Sequence, residues 1–363
     1  DCLRSGWITS GPRVARFEEA FSERMGGREA VAVSSATAGL HLLLHALGIG
    51  PGDEVIVPSL TWASTANVVE LLGARAVLAD VDPDTLQLDP GEVARLIGAR
   101  TKSVIPVHFA GAPSDLDTIR AALGGHDIAI VEDAAHALGA RLGDREIGSF
   151  GEAAVFSFHP TKNMTTAEGG MIVCADPTLA ARLRRLRSHG ISRDAWNRYA
   201  TTMSPRYDVI EPGYKYNLTD LHAALGIVQL GRLDDFNAER RALAERYDML
   251  LETVPSIAPI ARPAYAHDHA WHLYVVRMAG GGGLDRDGLI AALARANIGT
   301  GLHFPALHTQ VYYRDRPGGS DPLPHASQAA EEILSLPLYP GLTGQDQADV
   351  VAALADILEA ATA

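Results

Sequence analysis

Lys162 lies in a segment whose residues could support nucleophilic chemistry. An apolar run ends at 156–158, a short turn presents Lys162, and the pair Gly169-Gly170 opens the next apolar run. A lysine held in such a turn can be desolvated, which lowers the pKa of its amine and makes that amine nucleophilic. The ordinary alternative is a solvated loop lysine, because lysine side chains are mostly exposed.

Two acidic residues, Glu132 and Asp133, end another apolar run, and His136 follows in the next turn. A carboxylate at the end of a buried strand is costly unless it is paired. Asp133 could therefore hold a cationic partner, such as the protonated nitrogen of a pyridine ring. Alternatively, an acidic residue here caps the following helix.

The segment Ser34-Ser35-Ala36-Thr37 follows an apolar run and opens a predicted amphipathic helix. Free N–H groups and the helix dipole make such a turn suitable for a phosphate group, although it is also an ordinary helix cap. Trp62 follows another predicted strand, where its ring could stack on a flat ligand or pack in the core.

Several histidines need a separate interpretation. His108 and His303 end strand-like runs, where each could face a cleft or pack in the interior with one nitrogen bonded. The cluster of His267, His269 and His272 resembles a metal site, but its spacing matches no helical pair and no structural zinc pattern. We therefore expect no metal site.

The elements that must position these residues alternate along the first two thirds of the chain. β-Branched runs predict strands at 30–33, 54–57, 76–80, 103–107 and 128–132, and helical periodicity predicts helices at 38–47 and 90–97. This alternation is typical of a mostly parallel sheet covered by helices on both faces, with ligands bound at the carboxyl ends of the strands.

A different pattern begins near Thr219. The predicted elements there are helices at 219–233, 235–253, 286–297 and 346–361, a strand at 270–278 and a glycine loop at 280–283. The chain is therefore predicted to be an α/β protein with a large domain at 1–233 and a smaller C-terminal α+β domain at 234–363.

Composition limits the class of protein. The 363 residues are 47% hydrophobic with a formal net charge of −13, which fits a globular protein and argues against a general nucleic-acid binder. Two cysteines, Cys2 and Cys174, indicate a reducing cytoplasm, and no apolar run predicts a membrane span. Because the chain begins at Asp1 rather than Met, we expect further residues before it.

The order of the segments is more specific than any one of them. A phosphate-type helix start, an aromatic side chain, a strand-end acid and a strand-end lysine follow one another on one predicted sheet. Together they provide what pyridoxal 5'-phosphate (PLP) requires, namely a phosphate site, a ring contact, a partner for the pyridine nitrogen and a Schiff-base amine.

Over nearly its whole length the chain resembles the DegT/DnrJ/EryC1/StrS sugar aminotransferases. The shared motifs are Ser5-Gly6-Trp7, Thr9-Ser10-Gly11-Pro12, Ser34-Ser35-Ala36-Thr37-Ala38, Pro106-Val107-His108, Glu132-Asp133-Ala134-Ala135-His136, and Lys162 followed by Glu168-Gly169-Gly170. The resemblance implies a PLP-dependent transferase of the aspartate aminotransferase-like fold, fold type I.

The resemblance also implies a role for each cofactor residue. Lys162 would carry PLP as a Schiff base and then move a proton between cofactor and substrate. Asp133 would bond the pyridine nitrogen and keep it protonated. The other implied cofactor contacts are the N–H groups of Ala36 and Thr37 and the hydroxyl of Ser157 at the phosphate, and the rings of Trp62 and His136 at the pyridine.

Lys215 departs from the family, many of whose members have Asn there and Arg where this chain has Asn217. One of these two residues would reach the phosphate from a neighbouring subunit, and the departure leaves open which one. The resemblance thus implies a homodimer with shared active sites. The implied substrate contacts are Trp7, His108, Tyr214 and His303.

Retention of Lys162, where some relatives have a histidine and act as dehydratases, favours transamination. The implied reaction moves an amino group from L-glutamate, which becomes 2-oxoglutarate, to a keto sugar nucleotide. The expected acceptor is C4 of a UDP- or dTDP-4-keto sugar. The alternatives are a keto-cyclitol, a 3-keto deoxysugar, or a regulator without turnover, and the complete set of cofactor residues disfavours the last.

Four segments are most similar to the branch that makes UDP-4-amino-4-deoxy-L-arabinose from a UDP-4-keto-pentose. They are Gly111-Ala112-Pro113-Ser114-Asp115-Leu116-Asp117, Pro212-Gly213-Tyr214-Lys215-Tyr216-Asn217-Leu218, His269-Ala270-Trp271-His272-Leu273 and Gly299-Thr300-Gly301-Leu302-His303-Phe304. These segments favour a sugar of that type as the acceptor.

Overall fold

The computed structural model describes residues 1–192, 207–278, 283–316 and 322–362. The predicted glycine loop at 280–283 lies outside these residues except for Gly283. The described strands are β1 (Glu29–Val33), β2 (Glu54–Pro58), β3 (Arg75–Ala79), β4 (Thr101–Val104), β5 (Ala129–Asp133), β6 (Arg141–Leu142), β7 (Arg145–Glu146), β8 (Ala153–Ser157), β9 (Gly170–Cys174), β10 (Ile257–Pro259), β11 (His267–Asp268), β12 (Tyr274–Met278) and β13 (Ile333–Leu336).

The helices surround three sheets. The described helices are α1 (Cys2–Ser5), α2 (Pro12–Arg24), α3 (Ala36–Ala46), α4 (Ser64–Leu71), α5 (Pro90–Leu96), α6 (Leu116–Ala122), α7 (Pro177–Leu186), α8 (Asp220–Leu230), α9 (Leu233–Leu251), α10 (Arg286–Arg295), α11 (Val311–Arg314), α12 (Pro324–Glu332) and α13 (Gly344–Thr362). No helix within the described ranges is long and apolar enough to cross a membrane.

The largest sheet has seven strands in the order β1-β9-β8-β5-β4-β2-β3. The pairs from β3 to β8 are parallel, and β9 runs antiparallel to both of its neighbours. This arrangement confirms the predicted mostly parallel sheet. The strand predicted at 103–107 ends earlier, at Val104, because Pro106 has no N–H group with which to extend the ladder.

Most strands of this sheet are buried on both faces. Along β1, Ala30 and Ala32 belong to one apolar cluster with Phe21 of α2, whereas Val31 and Val33 face a second cluster on the opposite side. Successive side chains of a strand point to opposite faces, so a strand covered by helices on both sides reads as a continuous apolar run. This explains why short β-branched runs were a reliable signal for the sheet.

Two helices, α3 and α8, begin with a side-chain hydrogen bond to a backbone N–H. Ser35 accepts a hydrogen bond from the N–H of Ala38 at the start of α3, and Thr219 accepts one from His222 at the start of α8. Serine and threonine favour such positions because their hydroxyls satisfy N–H groups that lack a partner within the helix. Each helix start is thereby held at a defined residue.

The C-terminal part carries a second, antiparallel sheet in the order β10-β12-β13. It packs with α9, α10 and α13 around a separate apolar core that includes Tyr247, Leu293 and Leu354. The predicted domain boundary between 233 and 234 falls at the first residues of α9. The division into two domains stays a prediction.

The strand predicted at 270–278 is wrong over its first four residues, because β12 begins only at Tyr274. Trp271 has a positive φ of 51°, which is incompatible with an extended strand. The backbone carbonyl of Ala270 instead accepts a hydrogen bond from Asn163, the residue after Lys162. The segment at 270–273 therefore turns toward the lysine rather than continuing the sheet.

Candidate active site

A cavity of about 780 Å³ lies at the carboxyl ends of the central strands, between the large sheet and the C-terminal part of the chain. Eight of the residues predicted from the sequence line it: Ala36, Thr37, Trp62, Asp133, His136, Ser157, Lys162 and His303. The tertiary structure thus brings together residues spread over more than 260 positions of the chain.

Lys162 follows β8 in a short turn, where its N–H donates to the carbonyl of His159. Its Nζ lies 3.4 Å from Nε2 of His272. Burial lowers the pKa of the Lys162 amine to about 8, although the nearby carboxylate of Asp133 acts in the opposite direction. A pKa close to neutrality makes this amine a usable nucleophile and base.

Asp133 ends β5 and is 5% exposed. One of its oxygens accepts a hydrogen bond from Thr65 Oγ1 at 2.8 Å, and the other accepts the N–H of Ala135 at 3.2 Å. Burial raises the pKa of this carboxyl, and these hydrogen bonds only partly offset that effect. A buried carboxylate with two neutral donors is suited to a cationic ligand, such as a protonated ring nitrogen.

The start of α3 offers an anion site. Ser35 uses its side chain to cap Ala38, and the N–H groups of Ala36 and Thr37 form no hydrogen bond with the described part of the chain. Both residues line the cavity, as does Ser157 at the end of β8. Unpaired N–H groups at the positive end of a helix bind phosphate well.

The aromatic residues around the cavity offer faces to a flat ligand. Trp62 is 63% exposed, and its ring lies 6.0 Å from that of Phe304. His136 is 7% exposed and its Nδ1 has no partner within the described residues. Burial and the charge of Lys162 hold the pKa of His136 well below its usual value, so its ring is neutral. A buried polar atom without a partner is consistent with a ligand that provides one.

Three residues predicted to contact the substrate do not line this cavity. His108 is fully buried, its Nδ1 accepts the N–H of Ser114 at 2.9 Å, and its Nε2 lies 3.1 Å from Glu132. Both nitrogens are therefore engaged, and His108 is a packed interior histidine. Trp7 donates to the carbonyl of Ser10, outside the cavity lining.

Tyr214 does not line the cavity either, and its ring stacks on Tyr216 with centroids 4.9 Å apart. Lys215 donates from Nζ to Asn217, which in turn donates to Ser10. Neither Lys215 nor Asn217 lines the cavity of its own chain. A phosphate contact from either residue would therefore have to be made to a neighbouring subunit.

The structure adds residues that the sequence did not single out. Gln229, Phe236 and Arg240 line the cavity from α8 and α9. His272 was considered only as a metal ligand, yet its ring faces Lys162. Within the described ranges, no group of three or more His, Cys, Asp and Glu side chains is placed to hold a metal ion. No local signal marks His272, because its neighbour in space lies 110 positions earlier.

A mostly parallel α/β sheet with a lysine, an aspartate and a helix N-terminus around one cavity defines a PLP-dependent transferase of fold type I. The chain belongs to the DegT/DnrJ/EryC1/StrS aminotransferase family, whose family model matches residues 1–355.

Solved structures resemble the chain over nearly its whole length. The aminotransferase TlmJ from Streptoalloteichus hindustanus is 37% identical, with a TM-score of 0.90, over 100% of this chain and 95% of that one. DesV from S. venezuelae, solved with a ketimine intermediate, is 37% identical, with a TM-score of 0.88, over 98% of this chain and 92% of that one.

A third relative is the putative sugar aminotransferase Spr1654 from Streptococcus pneumoniae, 32% identical with a TM-score of 0.90 over 99% of this chain and 95% of that one in its PLP form. It was also solved in its PMP form. Together these findings establish the chain as a PLP-dependent aminotransferase.

Proposed function

We propose that the protein transfers an amino group from L-glutamate to a keto sugar carried on a nucleotide. The observation that carries this proposal is the half-buried Lys162, held in one cavity with Asp133 and the open N-terminus of α3. The similarity to Spr1654, described as a putative sugar aminotransferase, supports a sugar as the acceptor.

The residues present fit PLP. Asp133 would bond the protonated ring nitrogen, and the N–H groups of Ala36 and Thr37, with the hydroxyl of Ser157, would hold the phosphate. Lys162 would form the covalent link. When bound, PLP withdraws electrons from the substrate carbon attached to the amino nitrogen and so makes its C–H bond acidic.

Lys162 has a second task once its amine is free. Its Nζ would move a proton between the substrate carbon and the cofactor carbon in each half of the reaction, which is general acid–base catalysis by one group. The lowered pKa of about 8 suits this exchange near neutral pH. Asp133, as a carboxylate, would favour the cationic ring nitrogen.

The size of the cavity around Lys162 supports a large acceptor. A cavity of about 780 Å³ is within the range that holds a drug-sized ligand. The exposed ring of Trp62 offers an apolar face to a sugar or a base, and His303 lines the same cavity. We assign the acceptor as a UDP- or dTDP-4-keto sugar aminated at C4, with UDP-4-amino-4-deoxy-L-arabinose as the type of product.

We further propose that the enzyme is a homodimer with shared active sites. Leu221, Leu225 and Val228 of α8 are 39%, 39% and 61% exposed. Their spacing places them on one side of the helix, and an apolar stripe of this kind favours a protein contact. Lys215 and Asn217 do not line the cavity of their own chain, so in our proposal one of them contacts the phosphate bound by the partner.

The test begins with the absorption spectrum of the purified protein with PLP. We expect a band from the lysine-linked cofactor that shifts when L-glutamate is added, followed by its return when an accepted keto sugar is supplied. A panel of UDP- and dTDP-linked 4-keto and 3-keto sugars and a keto-cyclitol, read by product mass, identifies the acceptor. A band that glutamate leaves unchanged would contradict the proposed donor.

A further inference from the structure

Among the described residues, His272 is the side chain that lies within hydrogen-bond distance of the Lys162 amine. Its ring is 5% exposed, and Nε2 lies 3.4 Å from Nζ of Lys162. Its other nitrogen, Nδ1, lies 3.2 Å from Oδ1 of Asn163. The histidine therefore bridges the lysine and the residue that follows it.

A chain of amide groups determines which nitrogen of His272 carries the proton. Asn237 donates from Nδ2 to the carbonyl of Leu138, so its Oδ1 is free to accept from Nδ2 of Asn163 at 2.7 Å. Asn163 Nδ2 also donates to the carbonyl of Ala270 at 2.7 Å. Backbone carbonyls can only accept, so both amides have one orientation. Oδ1 of Asn163 then faces His272, and Nδ1 must be the N–H.

The remaining nitrogen of His272 is therefore an acceptor. Burial, and then the neighbouring charge of Lys162, hold the pKa of His272 well below its usual value, so the ring is neutral. With Nδ1 protonated, Nε2 carries a lone pair that points at the lysine amine. The backbone is held as well, because Arg240 donates to the carbonyl of His272 at 3.1 Å.

We propose that His272 is a positioning residue for Lys162. Whenever the Lys162 amine is not covalently linked to another group, it donates an N–H to Nε2 of His272. This bond turns the amine's own lone pair toward the cavity, where the substrate carbon must be reached. The proton stays on the lysine, because a neutral buried imidazole is a weaker base than this amine. The inference rests on the proton-transfer role proposed for Lys162.

Other titratable groups face Lys162 and must be held constant in any pH experiment. Asp133 of β5 raises the pKa of the amine. His136, in the turn after β5, and His303 both have pKa values lowered by burial and further by the charge of Lys162. Substituting His272 leaves these groups in place. Loss of the acceptor disfavours the ammonium form, so the pKa of Lys162 should fall further.

The experiment measures Lys162 directly in the cofactor-free protein. Acetylation by acetic anhydride across a pH series, read by mass spectrometry of the peptide that carries Lys162, gives the midpoint of its titration. We expect His272→Phe to lower the midpoint by about half a unit, the scale of one weak hydrogen bond. His272→Gln, whose carbonyl can accept the same N–H, should restore most of the wild-type profile.

The loaded enzyme provides a second readout. With glutamate, His272→Phe should lower kcat by about tenfold, as expected for one lost hydrogen bond, and should leave KM within a factor of about three. His269→Phe is the matched control, because His269 is a half-buried histidine of the same segment whose Nδ1 accepts the N–H of Trp271 instead. It should leave the acetylation midpoint of Lys162 unchanged.

A folded His272→Phe variant with the wild-type midpoint and kcat would overturn the proposal. If circular dichroism shows that this variant does not fold, Asn163→Leu serves instead. It keeps the His272 ring but removes the Oδ1 that fixes the proton on Nδ1. It should shift the midpoint in the same direction, and an unchanged midpoint would contradict the inference. Failure of glutamate to change the wild-type spectrum would count against the proposed function. The acetylation midpoint of Lys162 would still test its contact with His272, because that measurement uses the cofactor-free protein.

Discussion

The chemistry of Lys162 depends on its surroundings. A lysine at its ordinary pKa is neutral in about one molecule in a thousand near pH 7.5, whereas a pKa of about 8 makes roughly a quarter of the molecules neutral. Burial produces this change and the charge of Asp133 limits it. Lys102, on the exposed side of β4, has no such environment.

Lys162→Ala tests this residue. The variant should bind PLP without a covalent link, because Asp133 and the start of α3 remain, and it should lose turnover by several orders of magnitude. The measurements are the absorption spectrum, mass after borohydride reduction, and the rate with glutamate. Lys102→Ala is the matched control and should behave as wild type. Normal turnover in Lys162→Ala would remove the central role of this lysine.

At the scale of elements, the site depends on how closely β9 approaches the start of α3. A Cβ added at Gly170 would lie 2.7 Å from the backbone nitrogen of Ala36 and 2.7 Å from the backbone carbon of Ser35. Backbone atoms cannot rotate away as a flexible side chain can. Glycine at this position therefore lets the strand support the turn whose N–H groups face the cavity.

Gly170→Ala should move that turn. We expect the free energy of unfolding to fall by about 1–3 kcal/mol, the usual cost of an overpacked site, and the affinity for PLP to fall with it. Urea unfolding of the cofactor-free protein and PLP titration measure the two effects. Gly50→Ala is the control, since its Cβ would meet nothing within 4 Å. Wild-type stability and affinity in Gly170→Ala would show that the turn tolerates displacement.

At the scale of the whole molecule, two parts of the chain close on one cavity. The large sheet provides Lys162 and Asp133 at its strand ends, and the C-terminal part provides His272, His303 and Arg240. The apolar stripe on α8 then faces away from this core. The proposed sharing of active sites can therefore be tested by disrupting the homodimer.

Leu225→Glu combined with Val228→Glu should weaken the proposed homodimer. Two carboxylates on an apolar contact must lose water without gaining partners, which is costly. Sedimentation velocity should show two chains for the wild type and one for the variant, with reduced turnover if the sites are shared. Leu71→Glu, at the end of α4 and 73% exposed, is the control. A variant that remains dimeric and active would place the interface elsewhere.

Short-range patterns predicted much of the fold. The apolar runs that became β1, β2 and β5 were visible because strands buried on both faces leave no polar alternation to obscure them. The strand predicted at 270–278 was wrong at its start because its apolar residues look the same in a strand or a packed turn. The long-range bond to Asn163 decided between them.

The two strand-end histidines show the same limit. His303 lines the cavity, whereas His108 is enclosed and bonded at both nitrogens. Each ends a segment that looks strand-like, so the local residues could not separate the two outcomes. The two histidines differ in the residues that pack around them. Those residues come from distant parts of the chain, so the local sequence does not predict them.

The sequence alone determined the α/β class, the order of the chemical segments and the choice of Lys162 and Asp133, because strand ends, helix starts and apolar runs are local features. The tertiary structure decided which of these residues share a cavity, how far burial shifts the pKa of Lys162, and that His272 faces its amine. Burial and electrostatics depend on atoms brought from distant parts of the chain, so no local pattern records them.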